Sequence, residues 1–322
     1  MHKSQLHSCS SHLNYDGAME ALDDWLKAVR GDGIVLVRTR VASPWGFAVA
    51  PRDATVFHFV AEGRAIVRQP NAEAIEVLSG ELILFPRGSA HEVAHSVRGK
   101  TLPLAEFMAL RHDVVDSASR TTTLVCGEFG IDRHLALPAM RALPSAVHMR
   151  ADGTSGSSAL GATLRLLRAE VEAPNFGNQI VVRNLLSMLF VYFMREWAET
   201  AAPDAGGWFS AVRTPHTARA LACIHESPEH NWTLGELAKE AGLSRAAFAR
   251  QFNAAVGEPP HYYLTRWRMG IAARLLQETD LRLSEIAPRV GYKSEFSFSR
   301  TFKRWRGVAP DRFRRAAAPD AS

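Results

Sequence analysis

The sequence predicts two domains of different class: an N-terminal β-barrel with a helical linker, then a C-terminal all-α domain with two helix-turn-helix motifs joined by a long helix. Three observations predict it: short β-rich runs early in the chain, two apolar helical patterns in the middle, and an internal repeat near the end. The 322 residues are enough for each domain to bury its own core. We place the domains at residues 1–150, 151–205 and 206–322.

The barrel is predicted from apolar, β-branched runs that alternate with turn residues. The runs cover residues 34–37, 56–60, 65–67 and 81–85, and glycine, proline and asparagine separate them. Many short strands at close spacing are typical of an antiparallel sandwich or barrel.

The linker begins with a polar, turn-rich stretch at residues 151–158. Apolar residues at three- and four-residue spacings then predict helices at 158–172 and 178–199. The second helix carries an apolar stripe, which indicates either a dimerisation element or packing against the barrel of the same chain.

The C-terminal domain contains a degenerate duplication. Residues 233–242 align with residues 282–291 at an offset of 49, and one residue is then inserted. The later matches are Phe248, Arg250, Phe252, Gly257 and Pro260 with Phe298, Arg300, Phe302, Gly307 and Pro310. A repeat that keeps this order of residue types indicates two copies of one structural unit, at about 233–256 and 283–306.

Each copy has the chemistry of a helix, a tight turn and a second helix. Thr233 and Glu236 have capping-box spacing, so the first helix starts there. Gly242 suits a left-handed turn, and Ser244 can cap the next helix. In the helix-turn-helix layout, this second helix enters the major groove of DNA.

The second copy departs from this pattern at two positions. Arg282 stands where Ser or Thr is expected, and Ser284 is our candidate substitute cap. Pro288 follows within the helix, and we expect it in the first turn, where a proline is tolerated.

One helix at residues 260–278 is predicted between the copies. Its length of about 27 Å would set two recognition helices roughly one DNA turn apart.

Charge is unevenly distributed between the domains. Residues 205–322 hold 18 Lys and Arg against 11 Asp and Glu, a net of +7, whereas the whole chain carries +5. Phosphate binding concentrates basic residues on one module, although a solvated basic surface gives the same count.

The stretch from Gly291 to Arg304, with Gly307 and Pro310, resembles the signature of the AraC/XylS family, and the likeness covers about residues 213–315. The resemblance implies a homodimeric transcription regulator, in most members an activator, whose partners are double-stranded DNA and RNA polymerase.

Positions on the two second helices predict the DNA contacts. Arg250 and Arg300 occupy matching positions, and arginine is the commonest reader of guanine. The full set of candidates is Ser244, Arg245, Arg250, Lys293, Ser294, Glu295, Ser299, Arg300, Lys303 and Arg304, with Lys293, Ser294, Lys303 and Arg304 assigned to phosphate. Ala246, Ala249 and Phe296 share these faces.

Residues 80–95, with their Gly, Pro-x-Gly and His91, resemble the second cupin motif, so the barrel is expected to be cupin-like. The resemblance implies a small effector inside it, with Trp45, His58 and His91 as pocket candidates. No His-x-His precedes this motif, and one histidine does not make a metal site. We therefore expect no metal, no cofactor and no catalytic residue. The alternative is a metal-dependent cupin enzyme fused to a DNA-binding domain.

Three well-separated cysteines, Cys9, Cys126 and Cys223, argue against a disulfide scaffold. Residues 1–9 lack the apolar core of an export signal, and the apolar run 180–194 is too short to span a bilayer. A cytoplasmic protein with no membrane partner is expected.

Overall fold

A computed structural model of the chain describes residues 16–110, 121–150, 159–173, 175–200 and 207–317. The stretches 1–9 and 151–158, on which two of our expectations rest, lie outside these ranges, and so does Cys9. The chain forms two compact units.

The β-rich unit comprises residues 31–131 and 143–200. Its strands are β1 (Arg30–Ala42), β2 (Gly46–Val49), β3 (Thr55–Glu62), β4 (Arg64–Arg68), β5 (Ile75–Leu78), β6 (Glu81–Phe85), β7 (His91–Ala94), β8 (Leu102–Pro103), β9 (Thr121–Ile131) and β10 (Val147–Met149). A short helix, α2 (Leu104–Ala109), follows β8. The strands predicted at 34–37, 56–60, 65–67 and 81–85 are confirmed.

The strands form two five-stranded sheets, in the orders β1-β9-β3-β6-β10 and β5-β4-β7-β2-β8. Neighbours with a defined register are antiparallel, except that β2 and β8 run parallel. One apolar core takes side chains from both sheets, including Val56 and Phe85 from the first and Phe47 and Val93 from the second. Alternate residues of each sheet therefore point inward, as the predicted sandwich or barrel requires.

The Pro-x-Gly turn after β6 is fixed by its glycine. Gly88 has a φ of +59°, and its carbonyl accepts a hydrogen bond of 2.9 Å from the backbone N–H of Arg52. A Cβ added to Gly88 would lie 2.3 Å from the Arg52 carbonyl oxygen and 2.5 Å from that of Ala54. Only glycine therefore allows this close approach of two backbone segments.

Two helices cover the outer face of the first sheet, namely α4 (Ala159–Glu172) and α5 (Asn178–Thr200). Their bounds confirm the two helices predicted in the linker. Phe129 of β9 packs against Phe190 of α5, with ring centroids 5.5 Å apart. The linker helices therefore pack on the barrel of their own chain.

The helical unit contains α6 (Trp208–Arg213), α7 (Pro215–Glu226), α8 (Leu234–Glu240), α9 (Arg245–Val256), α10 (Pro260–Glu278), α11 (Leu283–Arg289), α12 (Glu295–Arg306) and α13 (Pro310–Ala317). The long helix predicted at residues 260–278 is confirmed as α10. Its residues Met269 and Leu276 share one core with Ile286 of α11 and with Phe298 and Phe302 of α12.

The helical unit is not contiguous in sequence, in contrast to the boundaries that the sequence predicts. It also includes residues 16–30 and 132–142, and so takes in α1 (Asp16–Val29) and α3 (Arg133–Ala142). Trp25 of α1 donates a hydrogen bond of 3.3 Å to the Leu135 carbonyl, and its ring lies 4.6 Å from that of Trp208. Contacts between distant segments set this grouping, and no local signal in the sequence encodes it.

We predict that Gly88→Ala lowers the free energy of unfolding by about 3 kcal/mol, because the new Cβ meets two backbone oxygens at a left-handed φ. Thermal unfolding of the full chain measures the loss. Gly80→Ala is the matched control, since Gly80 has a φ of +86° but its added Cβ would meet nothing nearer than 3.6 Å. It should cost only about 1 kcal/mol. Equal losses in the two variants would contradict the steric explanation.

Candidate functional site

The first helix pair is held by the local chemistry that the sequence predicts. Thr233 and Glu236 form a reciprocal capping box at the start of α8. Gly242 turns the chain at a φ of +67°, and the Ser244 side chain accepts the Ala247 N–H at the start of α9. Phe248 is fully buried. The opposite face of α9 is therefore left exposed at a fixed angle.

The second pair starts differently from our expectation. Arg282 is the N-cap of α11, and its backbone N–H donates to the Glu285 carboxylate at 2.8 Å. The expectation that Ser284 substitutes as the cap is wrong, because Ser284 lies inside the helix and Glu285 alone supplies the side-chain acceptor. Pro288 lies in the second turn of α11, not the first, and the helix ends one residue later.

The Ser294 side chain caps α12 by accepting the Ser297 N–H at 3.2 Å. Phe298 and Phe302 are fully buried and anchor this helix as Phe248 and Phe252 anchor α9. The repeat thus gives both helices the same capped start and the same buried face.

All but one of the predicted DNA-contact residues are exposed on these two helices and their caps, and Ser299 is half-buried. The Arg245 side chain packs against Gly235 of α8, because a Cβ added to that glycine would lie 2.8 Å from the Arg245 Nε. Phe296 is 77% exposed on α12, an unusual position for an aromatic ring. The exposed set is Ser244, Arg245, Arg250, Lys293, Ser294, Glu295, Arg300, Lys303 and Arg304.

The scaffold helix α10 is buried on most of its surface, and it carries two buried arginines. Arg266 pairs with Glu258 at 2.5 Å. Arg268 donates to the carbonyls of Pro228 and His230 at 2.6 and 2.8 Å. These partners satisfy cations that would otherwise be costly to bury.

A polar cluster joins α10 to α7. Tyr263 of α10 forms a hydrogen bond of 2.8 Å with Nε2 of His225. The His225 ring stacks on Trp267 with centroids 3.8 Å apart. Burial lowers the pKa of His225 to about 3, so the ring is neutral in this cluster.

An ion pair joins the C-terminal end of α12 to Asp132. Arg306 donates two hydrogen bonds to the Asp132 carboxylate, at 3.0 and 2.5 Å, and its side chain is only 6% exposed. Asp132 also accepts the His134 N–H and so caps α3. Nearby, a Cβ on Gly270 would lie 2.3 Å from the Leu135 side chain, which explains the glycine in mid-helix.

The barrel holds a cavity of about 220 Å³. Its wall includes a buried histidine, a thiol and an ion pair in a lining that is otherwise mostly apolar. The lining residues are Val37, Thr39, Phe47, Val49, Arg52, Val56, His58, Leu104, Phe107, Met108, Leu124, Cys126, Gly127 and Glu128.

The structure brings two of the three pocket candidates together. His58 lines the cavity, and its Nε2 lies 2.7 Å from Nε2 of His91. Burial lowers the pKa of both rings, to about 4 for His91. Trp45 lies instead in the apolar core, stacked on Phe47 with ring centroids 6.4 Å apart.

Cys126 stands opposite His58 in the register of β9 and β3, so both side chains lie on the cavity face. Burial raises the pKa of its thiol to about 12. Within the ranges that the structure describes, no group of three or more His, Cys, Asp or Glu side chains is arranged to hold a metal ion.

Sequence reasoning missed Asp132, Trp25 and the cavity residues Arg52 and Phe107. The segment 16–29 did carry a readable signal, since Leu22, Trp25 and Leu26 have helical spacing and all are buried. Asp132 carried no such signal, because its partner is far along the chain.

Two capped helix pairs on one buried scaffold helix, with a basic exposed face, define a DNA-binding transcription regulator. Comparison with protein families supports this class. Residues 20–199 match a cupin family model, and residues 237–316 match a model described as a helix-turn-helix domain.

The relatives are named as transcription regulators. The regulator AlkR of Acinetobacter baylyi is 30% identical over 278 residues, which cover 84% of this chain and 90% of that protein. A putative AraC-like regulator of Streptomyces antibioticus is 28% identical over 94% of this chain and 100% of its own. The chain belongs to the AraC-like transcription regulators with an N-terminal cupin domain.

Among solved structures, the C-terminal domain of AraT from Geobacillus stearothermophilus is 30% identical, covering 33% of this chain and 89% of its own, with a TM-score of 0.31.

In the part of the chain that the structure describes, no helix is long and apolar enough to cross a membrane.

We predict that Asp132→Ala lowers the free energy of unfolding of the helical unit by about 3 kcal/mol, because buried Arg306 loses its counter-charge and α3 loses its cap. Arg306→Met should cost less, since Asp132 keeps the cap and can turn to solvent. The measurement is denaturant unfolding followed by tryptophan fluorescence. Asp24→Ala, which breaks an exposed pair with Lys27, should cost under about 0.5 kcal/mol. A loss for Asp132→Ala as small as for this control would refute the buried pair's contribution.

Proposed function

We propose that this protein is a homodimeric transcription activator that reads promoter DNA with α9 and α12 and responds to a small effector in the barrel. The observation that carries the proposal is the pair of exposed arginine-bearing helices on one buried scaffold helix. Activation, and with it RNA polymerase as a partner, is inferred from the family, most of whose members activate.

Base reading is assigned first to Arg250 and Arg300, which occupy matching exposed positions of α9 and α12. Glu295 and Ser299 of the same helix are assigned to further base contacts. Phe296 adds an apolar surface that suits a thymine methyl group. α9 has only Ala246 and Ala249 beside Arg250, so its direct readout is narrow.

Phosphate contact is assigned to Lys293, Ser294, Lys303 and Arg304, which are exposed at the two ends of α12. Ser244 and Arg245 have the corresponding place at the start of α9. The Arg245 guanidinium lies over α8 in the free protein, so it would have to turn outward to reach DNA.

The effector proposal is supported by the cavity and by the path of the chain. β1 and β9 both contribute to the cavity wall. Each is joined directly to a helix of the helical unit: β1 follows α1, and α3 follows β9. Asp132 is the first residue after β9 and holds Arg306 at the end of α12. A shift of β9 on effector binding would therefore reach α12 through one ion pair.

The enzyme alternative has less support, because its metal would need a third ligand beside His58 and His91. Metal analysis of the purified protein separates the two readings: a stoichiometric metal retained through chelation favours the enzyme. We propose a cytoplasmic regulator without catalytic residues, cofactor or membrane partner.

The dimer is assigned to the exposed side of α5. Ile180, Val181 and Met188 are 68%, 37% and 43% exposed, although the opposite side of α5 is buried. Exposed apolar residues on one side of a packed helix suit a second copy of the same surface.

We predict that Arg300→Ala abolishes binding to a DNA fragment that the wild-type protein selects from a random library, and leaves the fold intact. A bidentate guanine contact is worth about 1–3 kcal/mol, or about five- to 150-fold in affinity, so no shifted band is expected at a protein concentration near the wild-type Kd. The Arg300 side chain is exposed, so its loss leaves the core unchanged. Gel shifts measure binding, and circular dichroism checks folding. Arg219→Ala removes an exposed arginine of α7, which is not one of the two recognition helices, and should bind as the wild type does. Unchanged affinity of Arg300→Ala would sink the assignment.

A phosphate contact behaves differently from a base contact. Lys303→Ala should weaken binding to all sequences alike and reduce the slope of log affinity against log salt by about 1. A change in sequence preference would instead reassign Lys303 to base reading.

We predict that Ile180→Glu with Met188→Glu converts the dimer to a monomer, because each copy then places charges on the shared apolar surface. Light scattering after size exclusion measures the mass. Arg87→Glu, exposed in the turn after β6 and not on α5, is the control and should leave the mass unchanged. A double variant that stays dimeric places the interface elsewhere.

A further inference from the structure

A chain of hydrogen bonds fixes the protons on the two barrel histidines. The Ser89 carbonyl lies 2.7 Å from Nδ1 of His91. A carbonyl oxygen only accepts, so His91 carries its proton on Nδ1 and presents a bare Nε2 to His58. The Nε2 of His58, 2.7 Å away, must therefore be the donor of that hydrogen bond.

This assignment requires that both rings are neutral, with one proton each. Burial is the main cause that lowers the pKa of both histidines. His91 lowers the pKa of His58 further, and Arg52 lowers that of His91 further. Near pH 7 each ring therefore carries a single proton, and Nδ1 of His58 is left with a lone pair.

That lone pair has no partner among the residues that the structure describes. His58 is 3% exposed, so bulk water does not satisfy it, and the ring lies in the cavity wall. A buried acceptor without a donor is unfavourable and is rare in folded proteins. Nδ1 itself is fully buried in the cavity wall, so a molecule in the cavity supplies the donor once the side chains that cover this atom move aside.

The rest of the wall restricts the charge and size of that molecule. Among the described lining residues, the charged side chains Arg52 and Glu128 form an ion pair with each other and leave no net charge. The Cys126 thiol stays protonated, since its pKa is about 12. A volume of 220 Å³ equals that of about seven liquid waters, below the range of most ligand pockets.

We propose that the effector is a small, uncharged, mostly apolar molecule whose hydroxyl or N–H group donates a hydrogen bond to Nδ1 of His58. Phenols, apolar alcohols and N–H heterocycles are the chemical classes that fit. This inference rests on the proposed effector function of the cavity. It goes further by stating that, in the hydrogen bond that selects the ligand, the ligand is the donor and the protein the acceptor.

Four probes of nearly equal shape test this selection by calorimetry on the full-length protein. p-Cresol brings a hydroxyl donor, p-xylene replaces that hydroxyl with a methyl group, γ-picoline offers only an acceptor, and p-toluate carries a negative charge. We expect p-cresol to bind roughly tenfold more tightly than p-xylene, the factor for one satisfied buried hydrogen bond. γ-Picoline and p-toluate should bind more weakly than p-cresol.

Two variants locate the preference within the cavity. His58→Phe removes the acceptor and keeps an aromatic ring, so p-cresol and p-xylene should bind equally. Val49→Ala is the control, because Val49 lines the same cavity without a polar group. It should change the affinity of all probes together and keep the tenfold ratio.

Nitrogen NMR of the wild-type protein tests the inference without a variant. The His58 Nδ1 should show the shift of an unprotonated ring nitrogen before p-cresol is added, and a proton on that atom overturns the inference. Equal binding of p-cresol and p-xylene, or preference for γ-picoline or p-toluate, overturns the ligand class and leaves the effector site standing. Binding of none of the four probes overturns the effector site together with the inference.

Discussion

The burial of α10 is the constraint on which the DNA-reading half of the molecule depends. Both recognition helices take their position from it, since its residues form one core with α11 and α12 and contact α9 on the other side. A helix buried on most sides has no solvated face for its polar groups. Arg266 and Arg268 therefore need partners within the fold, and they find them in Glu258 and in two loop carbonyls. The spacing of the two recognition helices is set by these contacts.

The same constraint explains two glycines whose roles are otherwise obscure. Gly291 ends α11 at a φ of +77°, and a Cβ there would lie 2.5 Å from the Arg268 guanidinium, so the turn and the buried cation share one space. Gly270 lets Leu135 approach α10 closely. Each glycine is thus required by the neighbour that packs on it as well as by its own backbone.

Local chemistry made much of this structure predictable. The caps at Thr233, Ser244 and Ser294 and the bounds of α10 follow from residues close in sequence, and the duplication reinforced them. The start of α11 was misread because a carboxylate three residues on can cap a helix whatever residue precedes it. His58 and His91 were both named as pocket residues. Their hydrogen bond could not be predicted, because it joins β3 of one sheet to β7 of the other. That α1 and α3 pack in the helical unit likewise depends on tertiary contacts alone.

The interrupted helical unit limits how freely this molecule can be recombined. Trp25 and Leu135 belong, by sequence, to the part of the chain that carries the barrel, yet they cover Trp208 and Gly270 of the helical unit. A chimera that joined residues 207–317 to a foreign sensor would expose to water the Trp208 indole and the surface of α10 at Gly270. A sensor exchanged into this chain would therefore have to bring two covering helices of its own.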